Sequence, residues 1–550
     1  MTAAADLVAT LEASGVSTVF GFPCEQLEPY YAALADSGIR HVHPRSEASA
    51  AMMADAYARV TGRLGVCDGV GGPGAAYTGV GLTEAEGASS PVLALTGDND
   101  RSFRGREAIQ DADNAAILDA FVGASHDPES PDRVVEAVRN AARAATVGVP
   151  EPTHVNLPED VLAGETEAGP GEALSLEFAT GRPAPAADDV AALADVVTEA
   201  ERPVVVAGEG ALRADAADAV TAFAAETNTP VVTSMNGKGV VAEDEPYAGG
   251  VVGRWGYCEV ANDLVEDADA ILGLGCRFGE LSTVGWSLLP DDATLAHVDL
   301  DPHWLGRNYD ADVAVQADLR ATVEALREAL LAVDFSERRP RIEQVAADRE
   351  AWREEYAGRL ESDRTPIDPA RVVAELQSTM PEDGLLVSAT SFPGFFTGAF
   401  YEVREPGIGY IQARGSDGIN CCLPQALGAQ AADPDRAVVA VSGDGGIGYH
   451  IADLETAVRE DLPVVVVVLN NQSLASSKAS QLTNWGVDVS TDFEAGTDYA
   501  AVARGFGCAG AVVEDPDAVR PELADALARD RPTLLDVRVD PGAVPPVLMD

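Results

Sequence analysis

Lysine is nearly absent from this sequence: only Lys238 and Lys478 occur among its 37 basic residues. The 90 acidic residues give the chain a formal net charge of -53 at pH 7. A surface this negative repels the phosphates of nucleic acids, so we expect no DNA or RNA partner. The negative charges also repel one another. Concentrated salt would screen this repulsion, since the Debye length falls to about 3 Å at 1 M salt. The composition therefore predicts a halophilic protein.

Long hydrophobic runs are also missing. The apolar runs, such as VVVVVL at 464–469, are far shorter than the roughly 18–20 residues that a membrane span needs. The opening segment MTAAADLVATLEASG is typical of an amphipathic helix, not of a basic leader followed by an apolar stretch. We therefore expect a cytoplasmic protein with no membrane partner.

Cysteine is scarce and scattered. None of the seven cysteines forms a Cys-x-x-Cys pair, which argues against a disulfide framework and against a zinc site. We expect most of them to be small buried side chains, while Cys24, Cys421 and Cys422 are candidates to line a pocket.

The chain is long enough for about three domains. Strand and helix patterns alternate over residues 1–163, 188–335 and 366–550. Residues 164–187 are rich in Gly, Pro, Ala and Glu and are typical of a linker, whereas the charged segment 336–365 predicts a solvated connecting helix. Strand-like runs in the first stretch are Ser17–Phe20, Ile39–His43, Leu64–Val70 and Val92–Thr96, and the second opens with Pro203–Ala207. This alternation predicts an α/β protein with three doubly wound parallel sheets.

The strongest functional pattern lies between 437 and 473. A buried strand (437–442) precedes Gly443, Asp444, Gly445 and Gly446, and a second strand (464–469) ends at Asn470-Asn471. Between them, apolar residues recur at helical spacing: Ile447, Ile451, Leu454 and Val458. In a right-handed strand–helix–strand unit both strands end at the same sheet edge, so Asp444 and Asn471 should lie close together.

These residue types suit a diphosphate bound through a metal ion. Glycines let backbone N–H groups approach phosphate oxygens. Carboxylate and amide oxygens are hard ligands that suit Mg²⁺, and the backbone carbonyl of Ser473 is a candidate third ligand. The alternative is an ordinary turn and an ordinary strand end. The combined spacing favours the functional interpretation.

The segment GDGGIGYHIADLETAVREDLPVVVVVLNN resembles the thiamine-diphosphate motif. The resemblance extends over nearly the whole chain, to the acetolactate synthase and benzoylformate decarboxylase group. It implies an N-terminal pyrimidine-binding domain, a Rossmann-like central domain and a C-terminal diphosphate-binding domain. It also implies thiamine diphosphate and Mg²⁺ as cofactors.

A second segment, PRSEASAAMMADAYARVTGRLGV, resembles the family's sequence around the glutamate that contacts the aminopyrimidine ring. The matching residue is Glu47. Its carboxylate would bond to ring nitrogen 1′ and favour the imino tautomer, which then removes the proton from the thiazolium carbon. Burial should raise its pKa. Ser46 and Ala48 stand where the family usually has His and Gln, which leaves the substrate contacts open.

The remaining site residues follow from the resemblance alone. Some have a structural alternative: a turn for Gly74, a helix cap for Thr390 and Ser391, and a core position for Ile419. Gly74 would lie near the pyrimidine, Gln110 would face the active site as a catalytic residue, and Thr390 and Ser391 would contact the diphosphate. Gly418 would accept a hydrogen bond from the 4′-amino group, and Ile419 would support the bent cofactor from below.

The central stretch contains segments that resemble the FAD-binding region of the synthases: 207–210, 234–240 and 275–278. The residues that follow Phe278 differ from that family's pattern, and glycines also serve as plain turns in flavin-free relatives. FAD remains open on the sequence.

The leading functional prediction is a thiamine-diphosphate-dependent carboligase, acetolactate synthase-like, that acts on a small 2-oxo acid. One alternative is a simple decarboxylase that releases an aldehyde. The residues after Asn471 lack the usual synthase pattern, and the paired histidines of pyruvate decarboxylases are also absent. The other is a non-catalytic cofactor-binding homologue. The resemblance also implies a homodimer or homotetramer with active sites at the subunit interface.

Overall fold

The computed structural model describes residues 1–173, 182–255, 258–493 and 496–546. They contain three six-stranded sheets, and all the strand pairings within these sheets are parallel. Helices alternate with the strands. The predicted α/β class with three parallel-sheet domains is confirmed.

The N-terminal sheet has the strand order β2-β1-β3-β4-β6-β5. Its four predicted strands lie within two residues of their predicted bounds. The elements are α1 Ala3–Ala13, β1 Thr18–Gly21, α2 Glu28–Leu34, β2 Arg40–Val42, α3 Glu47–Thr61, β3 Gly65–Gly69, α4 Pro73–Gly87, β4 Val92–Asp98, α5 Asn114–Leu118, β5 Ala124–His126, α6 Val134–Thr146, β6 Thr153–Pro158 and α7 Glu159–Ala163.

The central sheet has the order β12-β11-β10-β7-β8-β9. From the other edge this is the 3-2-1-4-5-6 order of the Rossmann fold, as predicted. The elements are α8 Ala187–Glu199, β7 Pro203–Ala207, α9 Glu209–Arg213, α10 Ala217–Thr227, β8 Val231–Thr233, β9 Ala248–Val251, α11 Glu259–Glu266, β10 Ala270–Leu274, β11 Thr294–Asp299, β12 Val313–Gln316 and α12 Leu319–Leu330.

Two connecting segments flank this sheet. The first, predicted as a linker over 164–187, has no helix in its described part before α8; residues 174–181 lie outside the described residues. The second contains helix α13, Arg339–Leu360. The prediction that this helix is solvated was wrong for one side, where Ile342 and Val345 are buried and Trp352 stacks on Phe400 at 5.6 Å between ring centroids.

The C-terminal sheet, β14-β13-β15-β16-β18-β17, repeats the strand order of the N-terminal sheet. Its elements are α14 Pro369–Thr379, β13 Leu385–Ser388, α15 Phe392–Phe400, β14 Tyr410–Gln412, α16 Cys422–Ala432, β15 Val438–Gly443, α17 Asp444–Ile447, α18 Asp453–Arg459, β16 Val465–Asn470, α19 Ala475–Trp485, α20 Tyr499–Gly505, β17 Ala509–Val513, α21 Pro516–Leu527 and β18 Thr533–Arg538.

The single helix predicted from the spacing of Ile447 to Val458 was wrong. Two short helices, α17 and α18, replace it, and a turn separates them. Three glycines near α17 weaken helix propagation. The second helix starts at Asp453, whose carboxylate accepts hydrogen bonds from Arg45 N at 2.7 Å and from Ser49 Oγ at 2.5 Å.

The N- and C-terminal sheets share one hydrophobic core through helices α3 and α16. The helices approach so closely that a side chain at Gly428 would overlap the carbonyl of Met53. This contact fixes the relative position of the two sheets whose edges carry the predicted site residues. No helix in the described part of the chain has the length and apolarity to cross a membrane.

Candidate active site

Three neighbouring strands of the C-terminal sheet end at one edge, and predicted site residues follow each of them. In the β15–β16 pair, Gly443 lies opposite Leu469, so Asp444 and Asn471 both lie just beyond the strand ends. Strand β13 pairs with β15 on the other side and leads into Thr390 and Ser391. Asp444 and Asn471 therefore follow neighbouring strands at one edge, as expected from the strand–helix–strand unit.

Asp444 has a buried carboxylate that its surroundings leave incompletely bonded. Its Oδ1 accepts a hydrogen bond from Gly445 N at 3.1 Å. Its Oδ2 is buried and has no hydrogen-bond partner in the described part of the chain. Burial raises the pKa of Asp444 to about 6. A buried carboxylate oxygen without a partner is costly, and a bound cation would remove that cost.

Asn471 forms a local turn beside this carboxylate. Its Oδ1 accepts hydrogen bonds from Ser473 N at 3.1 Å and from Ser473 Oγ at 3.4 Å, and Gln472 between them has a left-handed φ of 59°. Ser473 also pairs with Asp492 in an isolated bridge, which fixes the loop. No group of three His, Cys, Asp or Glu side chains suited to a metal occurs in the described residues. A metal ion here would need amide, carbonyl and phosphate oxygens as well as Asp444, a donor set that suits Mg²⁺.

The glycines of the turn have different environments. A side chain at Gly445 would lie 2.6 Å from Leu474 Cδ2, and one at Gly446 would lie 2.5 Å from the carbonyl oxygen of Ile419. Gly443 is more open, since the nearest atom to its Cβ position is 3.5 Å away. The close approach at Gly446 brings the predicted cofactor loop against the predicted diphosphate turn.

Thr390 and Ser391 contribute hydroxyls at the same edge. Thr390 Oγ1 donates to the carbonyl of Asp417 at 3.2 Å, one residue before Gly418. Ser391 has a left-handed φ of 66° and precedes α15, but its side chain makes no capping hydrogen bond. Its Oγ instead donates to Ser476 Oγ at 2.8 Å. The alternative role of helix cap therefore does not describe Ser391.

Glu47 lies at the carboxyl edge of the N-terminal sheet, as the first residue of α3. Ser46 caps the helix by accepting a hydrogen bond from Ser49 N at 3.1 Å. The Glu47 side chain packs so closely on two glycines that a Cβ at Gly69 would lie 2.7 Å from its Cγ, and one at Gly74 would lie 2.6 Å from its Oε1. Burial raises the pKa of Glu47, and the nearby Asp68 raises it further. The direction is the one expected from the sequence.

Gln110 lines a cavity of about 770 Å³ at this edge, with Phe22, Cys24 and Ile109 among its other lining residues. Gln110 has a left-handed φ of 58°, and its backbone carbonyl lies 2.9 Å from the Cβ position of Gly72. Ile109 is 79% exposed. The cavity has the size of a small-molecule site, although its outer wall is open.

The predicted site residues therefore fall into two groups on two sheet edges. Glu47, Gly74 and Gln110 form the N-terminal group. The C-terminal group comprises Thr390, Ser391, Gly418, Ile419, Gly443, Asp444, Gly445, Gly446, Asn471 and Ser473. Within the described part of the chain, no hydrogen bond joins one group to the other.

Tyr499 contacts the same turn and was not predicted from the sequence. Its hydroxyl donates to the backbone carbonyl of Asp444 at 3.0 Å, which fixes the turn from a helix 55 residues further along the chain. No local pattern marks this tyrosine, since the contact depends on how α20 packs against the sheet.

The segments of the central sheet that resemble an FAD-binding region meet where Gly208 and Gly210 pack directly on the backbone of Gly275. They line two adjoining clefts, of about 510 and 280 Å³, that share Glu209, Arg213 and Asn236. FAD binding stays an open prediction of the sequence. The smaller cleft also includes residues 276–278. Arg277, which lines it, bonds to the carbonyl of Gly87 and to Ser89 Oγ.

Comparison with known proteins decides the family. Three family descriptions match in chain order: the N-terminal TPP binding domain (1–117), the central domain (190–326) and the C-terminal TPP binding domain (394–537) of thiamine pyrophosphate enzymes. The acetolactate synthase large subunit of Parasynechococcus marenigrum is 31% identical over 98% of this chain and 88% of that protein. The chain belongs to the thiamine pyrophosphate enzyme family.

Two further members of this family show the range of named activities among its relatives. The acetolactate synthase isozyme 2 large subunit of Escherichia coli is 30% identical over 97% of this chain and 95% of that protein. The glyoxylate carboligase of Escherichia coli O157:H7 is 28% identical over 94% of this chain and 89% of that protein. The similarity to each relative spans all three sheets.

Proposed function

We propose that this protein is a thiamine-diphosphate-dependent carboligase that decarboxylates a small 2-oxo acid and transfers the acyl unit to a second carbonyl. The observation that carries the proposal is the buried, unpartnered Oδ2 of Asp444 beside a glycine turn at the carboxyl edge of a parallel sheet. The relatives named as acetolactate synthases and glyoxylate carboligase support carboligation.

The C-terminal group would bind the diphosphate end. Asp444 Oδ2, Asn471 Oδ1 and the carbonyl of Ser473 are the proposed Mg²⁺ ligands. Asn471 Oδ1 accepts two hydrogen bonds from Ser473, and the metal ion would replace the longer one, from Ser473 Oγ at 3.4 Å. The N–H groups of the Gly443–Gly446 turn and the hydroxyls of Thr390 and Ser391 would bond to phosphate oxygens.

The N-terminal group would act on the ring and the substrate. When bound, thiamine diphosphate supplies a carbon nucleophile and an electron sink for decarboxylation. Glu47 is suited to sharing a proton with ring nitrogen 1′, because burial against Gly69 and Gly74 raises its pKa. Gln110 and the cavity that it lines would then receive the 2-oxo acid and the acceptor.

The two groups support an active site shared between two copies of the chain. Gly74 and Glu84 lie on the same helix, α4, about 15 Å apart at 1.5 Å per residue. The Glu47 side chain packs against Gly74. The backbone N–H of Ser416, which is close to Gly418 and Ile419, bonds to Glu84. In the proposed arrangement, a partner's glutamate would complete the site beside that loop.

The test is Glu47→Gln. We expect at least a hundredfold loss of activity, the usual scale for removing a general acid–base group. Affinity for thiamine diphosphate with Mg²⁺, measured by calorimetry in high salt, should stay near wild type. Glu86→Gln, at an exposed carboxylate on α4, is the matched control and should be fully active.

Product analysis by gas chromatography separates the alternatives. With pyruvate as substrate, acetoin derived from acetolactate supports carboligation, whereas free acetaldehyde identifies a simple decarboxylase. If wild type and Glu47→Gln are equally inert on a panel of 2-oxo acids while both bind the coenzyme, the protein is a binding homologue and the proposal fails.

A further inference from the structure

The loop 415–420 carries Gly418 and Ile419. Its first two residues are hydrogen-bonded to the carboxylate of Glu84, on helix α4 of the N-terminal sheet. Glu84 Oε1 accepts a hydrogen bond from Gly415 N at 3.1 Å. Its Oε2 accepts two more, from Ser416 N at 2.7 Å and from Ser416 Oγ at 2.9 Å. Glu84 therefore connects α4 of the N-terminal sheet to the proposed cofactor loop of the C-terminal sheet.

Glu84 is itself fixed by a buried ion network. Arg59 Nη2 lies 2.8 Å from Glu84 Oε1, Arg59 Nε lies 3.0 Å from Asp55 Oδ1, and Arg59 Nη1 lies 3.3 Å from Glu209 Oε1 of the central domain. The side chains of Glu84 and Asp55 are fully buried, and that of Arg59 is 5% exposed. Asp55 Oδ2 accepts a further hydrogen bond from Gln425 on α16 at 3.0 Å. Buried charges paired in this way resist displacement, since separating them leaves an uncompensated ion.

The loop has little freedom at either end. Gly415 packs on the last turn of α4, where a Cβ would lie 2.6 Å from Ala88 N and from the Glu84 carbonyl. Further along, the carbonyl of Asp417 accepts the Thr390 hydroxyl at 3.2 Å, and the carbonyl of Ile419 abuts Gly446. The position of the loop is thus set by Glu84 on one side and by the proposed diphosphate turn on the other.

We propose that Glu84 is a positioning residue that sets the distance of Gly418 and Ile419 from the thiamine ring, through its hydrogen bonds to Gly415 and Ser416. The inference rests on the proposed function, since it needs a cofactor on this loop. Loss of these hydrogen bonds should weaken binding of the ring part of the coenzyme and leave binding of the diphosphate part unchanged. The reason is that Glu84 contacts the loop and not the turn after β15.

The experiment compares two ligands on the full-length protein. Thiamine diphosphate with Mg²⁺ probes the ring and the diphosphate together, whereas inorganic pyrophosphate with Mg²⁺ probes the diphosphate site alone. Ser416→Ala removes one hydrogen bond to Glu84 without leaving a buried charge unpaired, so it should fold. Glu84→Gln is the second variant; it keeps the side-chain shape but weakens the bonds to the loop. Ser89→Ala is the matched control, because Ser89 Oγ lies just beyond the same helix but bonds to Arg277 of the central domain at 2.7 Å.

For Ser416→Ala we expect calorimetry to show about tenfold weaker binding of thiamine diphosphate, the scale of one hydrogen bond to a charged group. Glu84→Gln should lose more. Pyrophosphate affinity should stay within about twofold of wild type in both variants, and Ser89→Ala should match wild type for both ligands.

Two results would overturn the inference. The first is that wild type binds thiamine diphosphate and both loop variants bind it as tightly as wild type does. The second is that the variants bind both ligands equally more weakly, as general loosening would cause. Failure of wild type to bind thiamine diphosphate at all is a different result, since it removes the proposed function itself.

Discussion

His154 is an uncharged histidine enclosed by the N-terminal sheet. Its Nε2 lies 2.7 Å from Thr96 Oγ1 and its Nδ1 lies 2.8 Å from Ser125 Oγ. Burial lowers its pKa to about 3, and the nearby His126 contributes further. Between pH 3 and about 6.5 the unfolded chain therefore binds a proton that the folded chain does not.

This difference predicts a loss of stability in acid. Where the unfolded state binds more protons, the free energy of unfolding falls as the pH falls, by up to about 1.4 kcal/mol per pH unit for one group. From pH 6.5 to pH 5, wild type should lose about 2 kcal/mol more than His154→Gln, measured by urea unfolding in high salt. The exposed-histidine variant His303→Gln should follow wild type. Parallel curves for wild type and His154→Gln would contradict the prediction.

At the residue scale, the sequence predicted contacts that follow from local chain geometry. Asp444 and Asn471 were placed together because one helix-and-strand unit separates them. The contact between Glu84 and Ser416 spans 332 positions and depends on how α4 meets a loop of another sheet, so no periodicity reveals it. The contact of Tyr499 with Asp444 was not predicted for the same reason.

At the scale of elements, helix α4 has an apolar side with no partner within the described chain. Its exposed residues recur at helical spacing: Pro73, Ala76, Tyr77 and Val80. Tyr77 is 59% exposed and Val80 is 48% exposed. Since Gly74 on this helix packs against Glu47, the stripe lies beside the proposed active site and fits the contact with a second copy of the chain.

Charged substitutions on this stripe should separate the subunits. We expect Tyr77→Glu combined with Val80→Glu to shift the mass measured by light scattering from a dimer or tetramer toward the monomer, with loss of activity. Leu331→Glu, at a residue 76% exposed on another part of the surface, should leave the mass unchanged. A fully active wild-type monomer would contradict both the stripe and the shared site.

The parallel sheets and the bounds of the named strands were predictable at this scale, because strands that alternate with helices favour parallel pairing. The strand order of the N- and C-terminal sheets was not predicted, and neither was the break between α17 and α18. The apolar spacing from Ile447 to Val458 suits a helix, but the glycines and the contacts of Asp453 with Arg45 and Ser49 end the first helix early.

At the scale of the whole molecule, the charge of -53 opposes the compact state. Screening by salt reduces this repulsion, and the Debye length falls from about 10 Å at 0.1 M to about 3 Å at 1 M. We expect the midpoint of thermal unfolding, followed by circular dichroism, to rise steeply with KCl up to about 1 M and more slowly beyond it. Sucrose at matched water activity should give a smaller rise. Equal midpoints of thermal unfolding in 0.1 and 3 M KCl would contradict the prediction of a halophilic protein.

The shortage of lysine has a practical use. Lys238 is buried and bonds to Glu243 at 2.7 Å, whereas the Lys478 side chain is 32% exposed. An amine-selective dye thus has one reachable side chain besides the α-amino group, and that side chain lies on α19, two positions after Ser476, which bonds to Ser391. A single fluorophore attached there would report events at the edge of the C-terminal sheet without any engineered cysteine.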